Sequence, residues 1–357
     1  MPGLQRLKLH DVLPPAHSEA PPPTTPPVHL AHLSYASLSS SIPQIAKLLQ
    51  YITLPDAAHI DLYNCRFAAI STRAMFTELA SHLNPLIAKL VGNAEIESLR
   101  VTDKHPFIKG ITPSDCIIFE MHTTGFSPDK VASEFWSLRP RKNVTSLNLV
   151  KVPRLCLDIR LLQDDFWHES EQVVPAICKR LDLHFLHTLS LELKGSELHG
   201  AALHKCFGTI PKLTDLTITQ SVIIPFFEAV MDPGFDPDEV VPFDSNLWST
   251  TAQEMETPTT FDHLNFLRVH DSDFTATRFK HRWDTLIHLL GVDWYRKSQA
   301  RRGGQATLKL VFSNSVLFGQ QISQLRERSE ELEFEGCRFI EDDARWKEYS
   351  APSPWPE

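Results

Sequence analysis

An α/β solenoid, with short parallel strands on a concave side and helices of irregular length on a convex side, is the fold class this chain predicts. Three observations carry the prediction. The first is a pair of matching stretches, Ala57–Cys65 and Ser329–Cys337. Each runs small or apolar residue, two spacers, apolar, one spacer, apolar, two spacers, Cys, which is the L-x-x-L-x-L-x-x-N/C core of a leucine-rich repeat. The second is recurrence, because L-x-L steps return along the whole sequence. The third is length: 357 residues exceed what one compact core serves, without a break in composition, whereas the linear core of a solenoid has no such limit.

The L-x-L step has period two, so Ile60 and Leu62 point to one side of a strand while Asp61 and Tyr63 point to the other. Ala57 and Cys65 turn back over the same core, which makes Cys65 a small buried hydrophobe rather than a ligand. Cys337 takes the same role in the second stretch.

In chain order, Leu4, Leu7 and Leu9 predict a strand whose edge is either exposed or covered by a preceding domain. Residues 14–27 hold seven prolines in fourteen positions and read as an extended loop. Leu30, Leu33 and Tyr35 predict the next strand, and Ile42, Ile45, Leu48 and Leu49 a helix after a Ser-rich start. The strand at Ile60 and Leu62 is followed by a helix over about Ser71–Leu90, with Gly92 and Asn93 as its C-cap. Further strands centre on Leu99, Phe119, Leu147, Leu189, Leu216, Leu267, Leu308 and Leu332. The spacing gives about ten or eleven repeats, longer and less regular than the standard 20 to 29 residues. The solenoid is expected over residues 1–349, with 350–357 a disordered tail.

Two segments break the texture. Residues 220–262 form an acidic insertion: from Thr214 to Leu267 there are ten acidic residues and no Lys or Arg. Its run of carboxylates lacks the alternate spacing of a calcium loop. From Arg278 to Arg302 basic residues interleave with Trp283, Leu286, Leu289, Leu290 and Trp294. The apolar members recur at helical spacing and read first as a core face.

Several function classes fall away. A formal net charge of -9 opposes nucleic-acid binding by bulk electrostatics. The cysteines make neither a C-x-x-C pair nor a disulfide framework, which fits a reducing compartment, cytoplasmic or nuclear. No stretch reaches the ~20 apolar residues of a membrane span, and no signal peptide is seen. Phosphate-loop, dinucleotide, nucleophile-elbow and zincin motifs are missing. His29 with His32 and His184 with His187 lie three apart in strand-like segments, on opposite faces, unsuited to one metal. Neither a catalytic residue nor a cofactor is assigned.

Beyond the repeat core, Leu48–Cys65, Ile210–Ile218, Phe261–Phe274 and Gln321–Asp343 together resemble the leucine-rich-repeat portion of the F-box protein family of mushroom-forming fungi. There L-x-x-L-x-x-P before a short strand ends a helix and begins the next repeat, which Leu48–Leu62 resembles. The resemblance implies a substrate-recognition module of a ubiquitin ligase, without catalytic residues. The family's F-box, a three-helix module ahead of the repeats, is absent from the sequence, so docking to the adaptor of a cullin ubiquitin ligase would need an F-box upstream.

The expected function is therefore a non-catalytic protein-interaction scaffold. An enzyme with a site in the 216–267 insertion and a nucleic-acid binder through 278–302 are the rivals. The partner surface is expected on the concave face, at the residue between the two core positions of each strand: Lys8, Ser34, Asp61, Arg100, Glu120, Asn148, Ser190, Thr217, Arg268, Lys309 and Glu333. Tyr63, His122 and His270 lie two positions further along the same face.

Overall fold

Strand and helix alternate through most of the chain in a mixed α/β architecture whose strands pair mainly in parallel. The computed structural model describes residues 3–13, 26–66, 79–91, 95–104, 116–123, 154–160, 173–193, 198–231, 261, 263–277, 280–291, 308–329 and 331–350. Two compact units emerge, Met1–Thr188 and Leu189–Glu357.

In the N-terminal unit the strands are β1 (Arg6–His10), β2 (Val28–His29), β3 (Tyr35–Ser39), β4 (Ile52–Thr53), β5 (His59–Arg66), β6 (Ile96–Lys104), β7 (Cys116–Thr123) and β8 (Leu155–Arg160). The sheet order is β1-β3-β5-β8-β7-β6, with β2 and β4 forming a small pair of their own. β1, β3, β5 and β8 are parallel, and their apolar positions fall in register: Leu7 beside Ala36, Ala36 beside Ile60, Ile60 beside Leu155. An all-parallel row was expected, but β7 runs antiparallel to both β6 and β8. β8 was not foreseen, and the strand expected at Leu147 lies outside the described residues.

The C-terminal unit carries β9 (Thr188–Glu192), which starts at the boundary, then β10 (Asp215–Thr219), β11 (Phe266–His270), β12 (Lys309–Ser313), β13 (Val316–Phe318), β14 (Leu332–Glu335) and β15 (Arg338–Ile340). β10, β11, β12 and β14 form parallel neighbours, stacking Leu216, Leu267, Leu310 and Leu332 in one column and Ile218, Val269, Phe312 and Phe334 in the next. Alternation sends both columns to the core.

One turn recurs at strand ends. Asp11, Asp271, Asn314 and Gly336 directly follow β1, β11, β12 and β14, and all have φ between 50° and 60°. Asp, Asn and Gly are the residues that tolerate the left-handed region. Each Asp or Asn keeps its N–H in the ladder: Asp11 donates to Ser39 O at 2.7 Å, Asp271 to Ser313 O at 3.0 Å and Asn314 to Glu335 O at 2.9 Å. Beyond the turn the chain extends again, so β13 pairs with β15 and Asp273 bridges to Val316.

Helices then close the core. Ile42–Tyr51 buries Ile42, Ile45 and Leu49, and its third residue, Gln44, accepts the Ser41 N–H at 3.2 Å and donates to Leu13 O at 3.0 Å. Gln321 repeats the device in Gly319–Arg328: its Oε1 accepts the Phe318 N–H at 2.9 Å and its Nε2 donates to Phe274 O at 3.1 Å. A glutamine at the third helical position thus satisfies the N–H that each helix start leaves open. Lys280–Gly291 turns Trp283, Leu286, Leu289 and Leu290 inward, as the helical spacing of the basic segment implies. The short helix Gly200–Leu203 lies so close to Ile223–Met231 that a Cβ on Gly200 would stand 2.9 Å from Ala229 N, and the Gly200 N–H donates to Glu228 Oε2 at 3.1 Å.

The acidic insertion is shorter than expected. Gln220–Val222 and Ile223–Met231 are helical, with Val222, Ile223, Phe226 and Ala229 buried, so this part is packed helix rather than a loosely held loop. The stretch 232–260 lies outside the described residues, as do 14–25 of the proline-rich loop and the tail 351–357. Residue Ser350 ends the helix Asp343–Ser350.

Cys65 is fully buried, as expected for a turn-closing hydrophobe. Cys337 is only half-buried, a correction that follows from its place beside the last strand of the row. Its Sγ donates to Phe312 O at 3.2 Å. Desolvation pushes its thiol above the usual range, against the opposing pull of backbone hydrogen bonds. In native protein Cys65 is expected to resist a thiol reagent while Cys337 reacts, at a rate still climbing above the ordinary thiol pKa of about 8.5. Mass mapping of labelled peptides across pH measures both. Gln321→Ala strips partners from Phe318 N–H and Phe274 O in a buried site, and urea unfolding should register a loss of about 2 to 4 kcal/mol.

Candidate functional site

The face of the strands opposite the helices gathers the polar side chains, because period two leaves every second residue there. In the C-terminal unit the register builds three columns on that face: Asp215, Phe266 and Lys309; Thr217, Arg268, Val311 and Glu333; Thr219, His270, Ser313 and Glu335. Arg268 and Glu333 occupy the middle column, as expected. Lys309 does not: it pairs with Phe266, and Val311 takes the place assigned to it.

These side chains are tied to one another. Phe266 lies beneath two cations, with Arg268 Cζ 5.2 Å and Lys309 Nζ 5.9 Å from its ring centre. Lys309 Nζ reaches Glu333 Oε1 at 2.7 Å, and Arg268 Nη2 reaches Glu335 Oε2 at 3.5 Å. His270 Nδ1 and Ser313 Oγ are 3.0 Å apart. Arg268 is the sheltered member of its pair, at 17% side-chain exposure against 46% for Glu335. The result is a patterned plate of alternating charge around one aromatic ring, geometrically fixed and half open to solvent.

The N-terminal unit uses the same positions differently. Its middle column reads Lys8, Ser37, Asp61, Cys156, Glu120 and Arg100. Lys8, Asp61, Glu120 and Arg100 therefore share one row, with Ser37 in the place expected for Ser34. An open concave face was expected here, yet Ser37, Asp61, Cys156 and Glu120 are buried. Arg100 Nη1 meets Glu120 Oε2 at 3.3 Å, supplying a cation to that buried carboxylate.

Beside this row lie Tyr35 and His59, buried and stacked 5.4 Å apart, with Lys8 Nζ 5.5 Å from the Tyr35 ring centre. Arg154 is buried too. Its Nη1 donates to Pro55 O at 3.2 Å and to Ala58 O, which fixes the turn ahead of β5. Desolvation lowers the pKa of its guanidinium, partly offset by Asp56.

Tyr63 is exposed at the irregularity between Leu62 and Cys65, with its ring centre 6.3 Å from that of His10. His122 is half-buried opposite Ser98. Asn148 lies outside the described residues. Among the described residues no group of three His, Cys, Asp or Glu could hold a metal ion, and no helix is long and apolar enough to cross a membrane.

Phe266, Val311, Ser313 and Glu335 escaped the sequence reading, although a signal was present. The left-handed residue stands three positions after the middle outward residue, as Asp11 follows Lys8, Asp271 follows Arg268, Asn314 follows Val311 and Gly336 follows Glu333. Counting back from Asn314 selects Val311 over Lys309. Compared with known proteins, the chain matches no family model, no curated protein and no solved structure.

Removing the cation beside Glu120 tests how far the N-terminal row depends on pairing. Arg100→Ala is expected to cost about 2 to 4 kcal/mol, a little below the roughly 3 to 5 kcal/mol for breaking a fully buried ion pair from one side, because Arg100 keeps 24% side-chain exposure. Arg100→Lys should recover part of it in the same unfolding assay.

Proposed function

We propose that this chain is a non-catalytic protein-interaction scaffold, a leucine-rich-repeat solenoid serving as the substrate-recognition half of an F-box type ubiquitin-ligase receptor in the cytoplasm or nucleus. One observation carries the reading: the outward columns of the C-terminal unit, where Phe266, Arg268, Lys309, Glu333 and Glu335 are held in fixed register by a parallel ladder. A plate of mixed charge around an aromatic ring suits recognition of a polar protein surface, where Arg and aromatic side chains anchor and charge sets specificity. The interlocking of its charges argues for rigidity, which lowers the entropic cost of binding.

The ubiquitin-ligase part rests on the resemblance in repeat texture. It implies that the scaffold hands a bound protein to a ligase through an F-box that these residues do not contain. Expressed alone in excess, the chain would then occupy the partner and shield it from degradation.

Two charge reversals test the surface. Lys309→Glu sets a carboxylate against Glu333, and Arg268→Glu does the same to Glu335. Each is expected to weaken a captured partner by more than about 1 kcal/mol, with Lys309→Glu changing stability by less than about 0.5 kcal/mol. Binding affinities of the purified partner decide the point: affinity unchanged in both variants would remove this face from the proposal. A partner whose half-life does not lengthen when the chain is overexpressed would remove the ligase role.

A further inference from the structure

The two ends of the strand rows carry opposite charge at matching positions. In the N-terminal unit β1 is a terminal strand of its row, and Arg6, Lys8 and His10 are exposed along it while Leu7 and Leu9 are half-buried. In the C-terminal unit β14 is a terminal strand of its row, with Glu331, Glu333 and Glu335 exposed and Leu332 and Phe334 half-buried. Among the described residues neither strand has a second neighbour in its sheet.

We propose that β14 of one copy of this chain pairs in parallel with β1 of a second copy, joining copies head to tail. Hydrogen-bond parity permits this pairing. Gln5 O and Asp11 N–H are turned toward β3. By alternation along the strand, the N–H and C=O groups of Arg6, Lys8 and His10 face the open edge. Glu331 O and Glu335 O are turned toward β12, so the backbone groups of Leu332 and Phe334 face outward. In a parallel ladder an edge-facing residue lies opposite one that faces away. Parity admits Leu332 opposite Gln5, Leu7 or Leu9; opposite Leu7 it sets Glu333 beside Lys8 and Phe334 beside Leu9, the register that meets all three acidic side chains with basic ones.

That register places Glu331 against Arg6, Glu333 against Lys8 and Glu335 against His10 on one face, and apolar against apolar on the other. It also aligns the left-handed residues Asp11 and Gly336. Crossovers between parallel strands are right-handed, so both ladders advance in the same sense with their helices on the same side. Just past the two turns, Val12 and Phe339 are among the few large apolar side chains left exposed, at 67% and 45%. Joined edges bring both to the same end of the new strand pair.

Existing contacts leave room for this. Glu333 already holds Lys309 and Glu335 holds Arg268, yet their side chains remain 51% and 46% exposed. Lys8 rests over Tyr35 and stays exposed. A carboxylate with several acceptor positions can serve a second cation. Such an interface is heterologous, so it generates rings when the rotation closes and open filaments when it does not.

Sedimentation of the full chain tests the pairing. Wild type at tens of micromolar should form assemblies that dissociate as salt screens the edge charges. Arg6→Glu with Lys8→Glu places acid against acid, and Glu331→Lys with Glu333→Lys places base against base. Each edge variant is expected to weaken association by about tenfold or more, and all four substitutions in one chain to restore it to within about threefold. The restored chain carries every substitution, so its association shows that the loss in each edge variant was not misfolding. A monomeric wild type would overturn the proposal. So would assemblies indifferent to the Glu331→Lys, Glu333→Lys variant, which would indicate β1 pairing with itself, or a four-substitution chain that stays monomeric while circular dichroism shows it folded.

Discussion

A residue in left-handed backbone at the end of a strand is the constraint on which the ends of β1, β11, β12 and β14 depend. A strand carried straight on would leave its apolar face without a cover. At Asp11, Asp271, Asn314 and Gly336 the chain instead breaks direction while the ladder continues. Most side chains lose about 1 to 2 kcal/mol in that conformation. Asp and Asn lose less, and Gly336 meets the further demand that a Cβ there would stand 2.9 Å from Asn314 Oδ1. From the turns at Asn314 and Gly336 follow the second short ladder, β13 with β15, and the placement of Gln321 at its helix start.

The same alternation along the strands yields two kinds of outer face. In the C-terminal unit the outward charges interlock at the surface, where ion pairs add little stability but fix orientation. In the N-terminal unit the equivalent residues are buried, and Asp61, Glu120 and Arg154 bring polar groups to positions where desolvation is costly. There, pairing is a condition of folding, as Arg100 beside Glu120 illustrates. The partner surface proposed for this chain accordingly lies in the C-terminal unit.

Much of this was legible in the residues. The helix faces of Ile42–Tyr51 and Lys280–Gly291 followed from apolar spacing, and Leu7, Leu9, Ile60, Leu62, Leu216 and Leu267 marked their strands correctly. What failed has physical causes. Side-chain alternation is identical in a strand and its reverse, so the antiparallel course of β7 left no trace in Cys116–Thr123. Apolar residues continue ahead of β3 and β12, which hid a shift in register at Ser34 and Lys309; at Lys309 the turn residue Asn314 resolves it. Burial of Asp61 depends on what lies over the sheet, and period two is silent about that.

The C-terminal helix holds one further consequence. Tyr349 is buried against Phe318 and Trp346, its ring centre 5.4 Å and 5.6 Å from theirs, and its hydroxyl accepts a hydrogen bond from Gln321 Nε2 at 3.3 Å. Desolvation, with Asp284 adding to it, pushes its phenol well above the usual tyrosine range. The proton is therefore held more tightly in the folded state than in the unfolded one. The stability this contributes is complete below the unfolded pKa of about 10 and drains away as alkalinity rises through the folded value. Phenolate absorbs where phenol does not, so Tyr349 is a built-in optical reporter, and its late ionisation records the moment Asp343–Ser350 lifts from the end of the core.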